Sequence, residues 1–354
     1  MKEDIQDSNK TEETRKIQFT GSSSYIISLP KKWIQELGLK QGDSVVISRQ
    51  NSNILEILPS SKRISKEHKE ASVDVQKDNS PYHLARKLVS LYFLGFNTIN
   101  ISPKPGERLT VEQRGAIKEI VRSQLMGTEI TADSANGMTL QVLVNLLDLS
   151  IDTAFKRMAL IAKSMHQDAI LSLQEHNVDL AREIIKTDDE VDRFSFYIIR
   201  QLVIAIKNGH RLKEMGLDDP STCLVYRLIV KSVERIADHA TKIAKNIIEM
   251  DKPLEKDIVD KISRMSNFAL GILDEACLSM FKKEYDCADK AIEKAKEIVD
   301  MEKDIIQYAS SNSNIDGIYR IKLIAENIRR VSEYATDIAE GVLNMTVEKT
   351  IRKE

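Results

Sequence analysis

The sequence predicts a mainly α protein in which two tandem three-helix bundles follow a small α/β module and a short N-terminal β domain. Three observations predict it. From residue 148 onward apolar residues recur at three- and four-residue steps, the pattern of helices that bury one stripe. Val233, Ile236, Ala240, Ile243, Ala244 and Ile247 show it without an intervening Gly or Pro. Residues 321–340, IKLIAENIRRVSEYATDIAE, overlie residues 226–245, YRLIVKSVERIADHATKIAK, at a shift of 95 positions, so the long helix occurs twice. Ahead of both copies, residues 15–60 and 66–145 replace the helical period with short alternating runs punctuated by Gly and Pro.

Taken in order, residues 1–14 are polar and aperiodic, with nothing to offset the entropy of ordering them, and are expected to form a disordered tail. Residues 15–60 read as short strands, with Gly21, Gly38 and Gly42 at turns, one brief helix after Pro30, and Trp33 anchoring it. So small a unit without disulfide or metal buries little by itself, and an intertwined homodimer is the physical expectation. Residues 59–65, PSSKRIS, read as a linker. In 66–145 a strand (KEASVDVQ), a helix with Ser80 as cap and Pro81 at its first position, and a strand (NTINISP) follow one another. A helix over Thr110–Met126 and two strands joined at Asn136-Gly137 complete a βαβαββ order. No site chemistry is predicted there. Residues 148–252 and 257–348 are then the two helical repeats.

Composition narrows the function. At 354 residues the chain has room for two or three domains, and its net charge of −2 supplies no global field toward nucleic acid or anionic membrane. Cys223, Cys277 and Cys287 lack CxxC spacing and suit a reducing cytoplasm as apolar fillers. No apolar run reaches a membrane span, and the first residues lack a signal-peptide core, so a soluble cytoplasmic protein is expected. Met158, Met165 and Met280 read as core, and His166, His176 and His239 as structural singletons. No nucleophile constellation or nucleotide-binding glycine fingerprint is present, which points to a regulator rather than an enzyme.

The chemistry lies in paired carboxylates. Glu234 and Asp238 stand one helical turn apart, as do Asp188 and Asp192 on the preceding helix. Like charges at that spacing repel by about 0.2–0.5 kcal/mol, so each pair calls for a cation, either Arg/Lys (Arg193 and Arg235 being near in sequence) or a metal. Four carboxylates from two facing helices favour a hard ion, Mg, Mn or Fe, over Zn. In the second repeat Asp300 and Asp304 recur at a shift of 112, while at the shift of 95 Arg329 stands for Glu234 and Glu333 for Asp238. Glu333 and Asp337 offer an alternative ExxxD register. Arg329 beside Asp300, Asp304 and Glu333 would satisfy that site without metal, so the second repeat is expected to bind more weakly or not at all.

Two resemblances follow from these residues. The tandem units, with DxxxD on one helix and ExxxD within ERIADHATKIA on the next, resemble the PhoU family of phosphate-homeostasis regulators over residues 148–348, in an archaeal-type arrangement. The resemblance implies that Asp188, Asp192, Glu234 and Asp238 bind iron, manganese or magnesium. It also implies a role in restraining phosphate uptake or reporting phosphate status, with a phosphate transporter or sensor component as partner. Gly21, Ile27, Leu29, Pro30, Lys31, Leu37, Gly38, Leu39, Gly42 and Asp43 resemble the SpoVT-AbrB swapped-hairpin family. That resemblance implies a dimer presenting Arg15, Lys16, Lys31, Lys32 and Arg49 to DNA, through salt-dependent phosphate contacts. Two alternatives stay open: a metabolite-sensing transcription factor without metal, and a ferritin-like di-metal protein. The second needs Glu-x-x-His on its helices, and no His here has Glu three residues before it.

Overall fold

The computed structural model describes residues 12–21, 23–49, 54–60, 69–144, 149–207, 212, 214–217, 219–312 and 315–351. Residues 1–11 of the expected tail and 61–65 of the expected linker lie outside them. Two compact units result, residues 1–68 and 69–354, so the α/β module and both helical repeats share one unit.

In the first unit β1 (Gln18–Thr20) and β2 (Ser24–Ile26) pair antiparallel, as do β3 (Val45–Arg49) and β4 (Leu55–Pro59), with the short α1 (Lys31–Glu36) between the hairpins. Gly38, which follows α1, has φ +74°, a backbone state that Gly adopts without steric cost. Among its described residues only Pro30 and Pro59 are buried, and Trp33 is half-buried. Phe19, Tyr25, Ile47 and Leu55 are 59–73% exposed.

The second unit begins with β5 (Glu70–Val75), α2 (Pro81–Phe93), β6 (Thr98–Pro103), α3 (Val111–Ser123), β7 (Thr128–Ser134) and β8 (Gly137–Val142). The sheet order is β5-β6-β8-β7, parallel between β5 and β6 and antiparallel elsewhere. This is the expected βαβαββ order; the helix between β5 and β6 is the crossover a parallel pair requires. Val73, Ile99, Ile101, Met138 and Leu140 of the sheet pack on Leu84, Leu88 and Tyr92 of α2 and Ile117 of α3. Thr110 and Gln113 cap α3 reciprocally, and the buried Gln113 amide also donates to the Gln76 and Asn79 carbonyls at 2.9 and 3.0 Å. A Cβ on Gly137 would lie 2.9 Å from the Ile101 carbonyl oxygen, which restricts that turn to glycine.

The first repeat is α4 (Ile151–Glu175), α5 (Val178–Lys207) and α6 (Pro220–Ile248). The second is α7 (Lys256–Lys282), α8 (Tyr285–Ala295), α9 (Ile298–Asn312) and α10 (Ile315–Thr346). Where three helices were expected in the second repeat, the middle one is broken: the N–H groups of Lys296 and Glu297 turn to the carbonyls of Glu293 and Lys294, three residues back, which tightens the turn. His176 and Lys283 close α4 and α7 with the same left-handed backbone, φ 49° and 53°, so both repeats reverse alike. Their cores merge into one apolar cluster running from Ile151 to Val342, which includes Met158, Met165 and Met280. α6 and α10 run antiparallel against each other, with Asn246 near Arg320, His239 on Asn327 and Gly341 against Ile229. The module docks on α5: the Arg200 guanidinium lies 4.8 Å over the Tyr92 ring and donates to the Tyr92 carbonyl, and Phe93 meets Phe196 edge-on at 5.0 Å. Among the described residues no helix is long and apolar enough to cross a membrane.

Candidate metal centre in the first helical repeat

The seam between α5 and α6 carries the four carboxylates. Val191 and Ser195 on α5, and Val233, Ala237 and Ala240 on α6, are buried and fix which side of each helix faces inward. Asp188, Asp192, Glu234 and Asp238 flank that stripe and are half-buried. Burial pushes the Asp192 carboxyl up to about 7, and the negative charges of Glu234, Asp188 and Asp238 push the same way, against Lys231. Asp188 is pushed up to about 6, again by burial first and then by Asp238, Glu234 and Asp189, against Lys245. The four groups therefore act on one another as a cluster, and the protein's own cations leave it under-neutralised.

Among the described residues Glu234 has a single cation beside it: its side chain is 15% exposed, and its sealed Oε2 forms an ion pair with Lys231 Nζ that lacks hydrogen-bond alignment. The two arginines near the site in sequence act on other groups, and the sealed Nε of Arg193 has no hydrogen-bond partner. Arg235 lies 5.5 Å over the Tyr334 ring and acts on Asp337, while Arg193 acts on Asp189 and Tyr92. Four hard oxygen donors whose charges raise the pKa of Asp188 and Asp192 fit a hard divalent ion. Among the described residues no three His, Cys, Asp or Glu side chains already form a coordination cage, so binding such an ion would draw the carboxylates inward. The site abuts the α/β module, because Glu119 of α3 raises the pKa of Asp189 on the neighbouring face of α5.

The second repeat is built differently. Asp300 is 83% exposed and pairs with Lys303, and Asp304 is 64% exposed and pairs with Lys261 of α7 at 2.6 Å, so neither is brought to Glu333. Buried Ile184, Val191 and Ser195 match buried Ile298, Ile305 and Ala309 at a shift of 114, not 112. The caps His176 and Lys283 are 107 apart, so seven added residues, about two turns, separate the repeats around the break. At the true register Glu302 is the counterpart of Asp188. It was legible in the seven- and four-residue steps of Ile298, Ile305 and Ala309, which repeat those of Ile184, Val191 and Ser195. Asp337 faces α6 instead, where Ser232 donates to it and Arg235 lies near, and burial still raises its pKa.

The histidines stand apart from this chemistry. His166 is fully buried, is held down to about 4 by burial and the nearby His239, and shares a 3.0 Å hydrogen bond with Ser266. His239 bonds Asn327 at 2.6 Å. Of the basic residues expected to face DNA, Arg15 and Lys16 precede β1, Lys31 and Lys32 open α1, and Arg49 ends β3; Lys32 lies 4.0 Å from Glu36.

Fold and site together define a tandem three-helix-bundle protein with a carboxylate seam in its first bundle, carried behind a small α/β module and a strand-rich N-terminal unit. Residues 155–247 and 262–342 match the PhoU domain, and the helical part of the chain belongs to the PhoU family. Residues 18–65 match the domain described as antidote-toxin recognition MazE, bacterial antitoxin, which makes the first unit MazE/AbrB-like. The chain is 21% identical over 200 residues to the phosphate-specific transport system accessory protein PhoU homolog of Clostridium acetobutylicum, covering 55% of this chain and 90% of that protein. To PhoU homolog 2 of Thermotoga maritima it is 28% identical over 196 residues, 50% of this chain and 76% of that one. The crystal structure of the phosphate transport system regulatory protein PhoU from Streptococcus pneumoniae aligns with 57% of this chain and 96% of its own, at 15% identity and a TM-score of 0.49. These relatives are bacterial, and nothing in the comparisons supports the archaeal-type arrangement.

Proposed function

We propose that the protein is a PhoU-like, non-enzymatic regulator of phosphate homeostasis whose helical half holds one hard metal ion and whose N-terminal unit dimerises and binds DNA. The observation that carries the reading is the under-neutralised quartet Asp188, Asp192, Glu234 and Asp238 within a PhoU-family bundle. A Mg, Mn or Fe ion there would supply the missing positive charge, competing with Lys231 for Glu234 Oε2. Curated relatives are phosphate-transport accessory proteins, so a transporter or sensor component is the natural partner of this half.

The N-terminal unit supports the second part of the reading. Two isolated two-stranded hairpins are marginal in water, and Phe19, Tyr25, Ile47 and Leu55 leave their apolar surface open, so a second copy completes the core. Arg15, Lys16, Lys31, Lys32 and Arg49 then lie on a doubled surface suited to phosphates. A regulator touching DNA, with three free cysteines, acts in the reducing cytoplasm.

The test uses the full chain: sedimentation, duplex binding across a salt series, and manganese content, for wild type and for Lys31→Glu/Lys32→Glu. The expected results are a dimer, an affinity that falls steeply with salt and is lost in the charge-reversed protein, and bound manganese in both. A monomer, or duplex binding unchanged by the reversal, would refute the N-terminal part. A metal-free protein after manganese loading would refute the helical part.

A further inference from the structure

The cation that the first repeat needs has a covalent counterpart in the second. At the shift of 95, buried Ile229, Val233, Ile236 and Ala240 match buried Ile324, Ile328, Val331 and Ala335, which places Arg329 where Glu234 stands and Glu333 where Asp238 stands. Across the seam, the shift of 114 places Glu302 at the position of Asp188 and Ile306 at that of Asp192. These four positions carry four negative charges in the first repeat; in the second they carry two negative and one positive.

The geometry closes the second set. Arg329 Nε lies 2.9 Å from Glu302 Oε2, and its Nη1 donates to Glu333 Oε1. Arg330 Nη1 reaches Glu333 Oε2 at 2.8 Å. Glu302 is 16% exposed and Arg329 22%, so this bridge between α9 and α10 is largely sealed. Both seam carboxylates have a guanidinium partner, whereas in the first repeat Glu234 pairs with a lysine, Lys231, without hydrogen-bond alignment.

We propose that Arg329 is a tethered cation that replaces a metal ion in the second repeat, and that it is the residue limiting the chain to one metal site. The proposal rests on the reading of the first repeat as a metal site and adds what decides the number of ions. A guanidinium stays protonated at any physiological pH and has no lone pair to give a metal, so it both satisfies Glu302 and Glu333 and repels a divalent ion. The α9–α10 seam is therefore closed whether or not metal is present. Any cation-dependent movement is confined to the α5–α6 seam, on the helix that also carries the α/β module.

The experiment measures manganese content per chain, and melting in chelator and in manganese, for full-length wild type, Arg329→Glu and Glu302→Gln. Arg329→Glu restores the residue type of the first repeat beside Glu302 and Glu333. The expected results are a lower melting temperature in chelator, recovery in manganese, and one manganese per chain more than wild type. Glu302→Gln should leave the wild-type manganese content unchanged. Arg329→Glu holding no more manganese than wild type would overturn the proposal, as would loss of manganese on Glu302→Gln. If wild type holds none and Arg329→Glu holds one, the proposal stands and the first-repeat reading falls. Should Arg329→Glu not fold even with manganese, the Glu302→Gln result decides by itself.

Discussion

Replacing Asp192 by Asn should stabilise the metal-free protein at alkaline pH and leave it unchanged at acidic pH. Asp192 is raised from its ordinary 3.8 to about 7, chiefly by burial and then by Glu234 and Asp188. A carboxyl raised in the folded state keeps its proton there when the unfolded chain has lost it. The stability this contributes is complete below pH 3.8 and disappears as pH rises through about 7. The full displacement sets a ceiling of about 4 kcal/mol. Because the side chain is only half-buried, solvent screening lowers this to about 1–2 kcal/mol. For a unit of this size that is about 2–8 °C in melting temperature. His166, held down to about 4, works in the opposite sense between pH 4 and 6.5, so the informative quantity is the difference between variant and wild type, in which His166 cancels. In chelator, Asp192→Asn should melt higher than wild type at pH 8, and by less than half that difference at pH 5. Manganese should raise wild type at pH 8 but not the variant. The same difference at both pH values, or a variant weaker at pH 8, would refute the charge-cluster reasoning.

Two packing predictions test the rest of the second unit. Arg200→Ala removes a buried charged hydrogen bond to the Tyr92 carbonyl and the cation–π contact on the same residue, and should cost about 2–4 kcal/mol in urea unfolding. A loss under about 0.5 kcal/mol would mean that the module is not held through α5. Gly341→Ala should destabilise by about 1 kcal/mol despite the better helix propensity of alanine, since its Cβ would lie 2.9 Å from Ile229 and 3.0 Å from Val225 across the α6–α10 contact. Gly115→Ala, with open space around its Cβ, should instead stabilise by about 0.5–1 kcal/mol; parallel shifts in both variants would contradict the packing account.

The sequence by itself determined the helices, the repeat and the asymmetry between its halves, because all three are written along the chain. Helical period needs only neighbours within a few turns, and the substitution of Arg329 for Glu234 is visible once two long helices are overlaid. The helix start at Ser80-Pro81 and the Asn136-Gly137 turn were legible for the same local reason. Which carboxylates of the second repeat face its seam was decided only by tertiary structure. Seven added residues and the break at Lys296 and Glu297 change the register, and a two-residue error turns a side chain by about 200° around the helix axis. Asp300 and Asp304 therefore point to lysines and solvent, and Glu302 meets Arg329. The docking of the α/β module was equally hidden: Tyr92 and Arg200 are 108 positions apart, and a side chain bonded to a distant backbone carbonyl leaves no periodicity to read. Arg235 follows the same rule, since Tyr334 and Asp337 lie on α10 and only packing brings them within reach; Arg193 combines a neighbour four residues back on its own helix, Asp189, with the distant Tyr92.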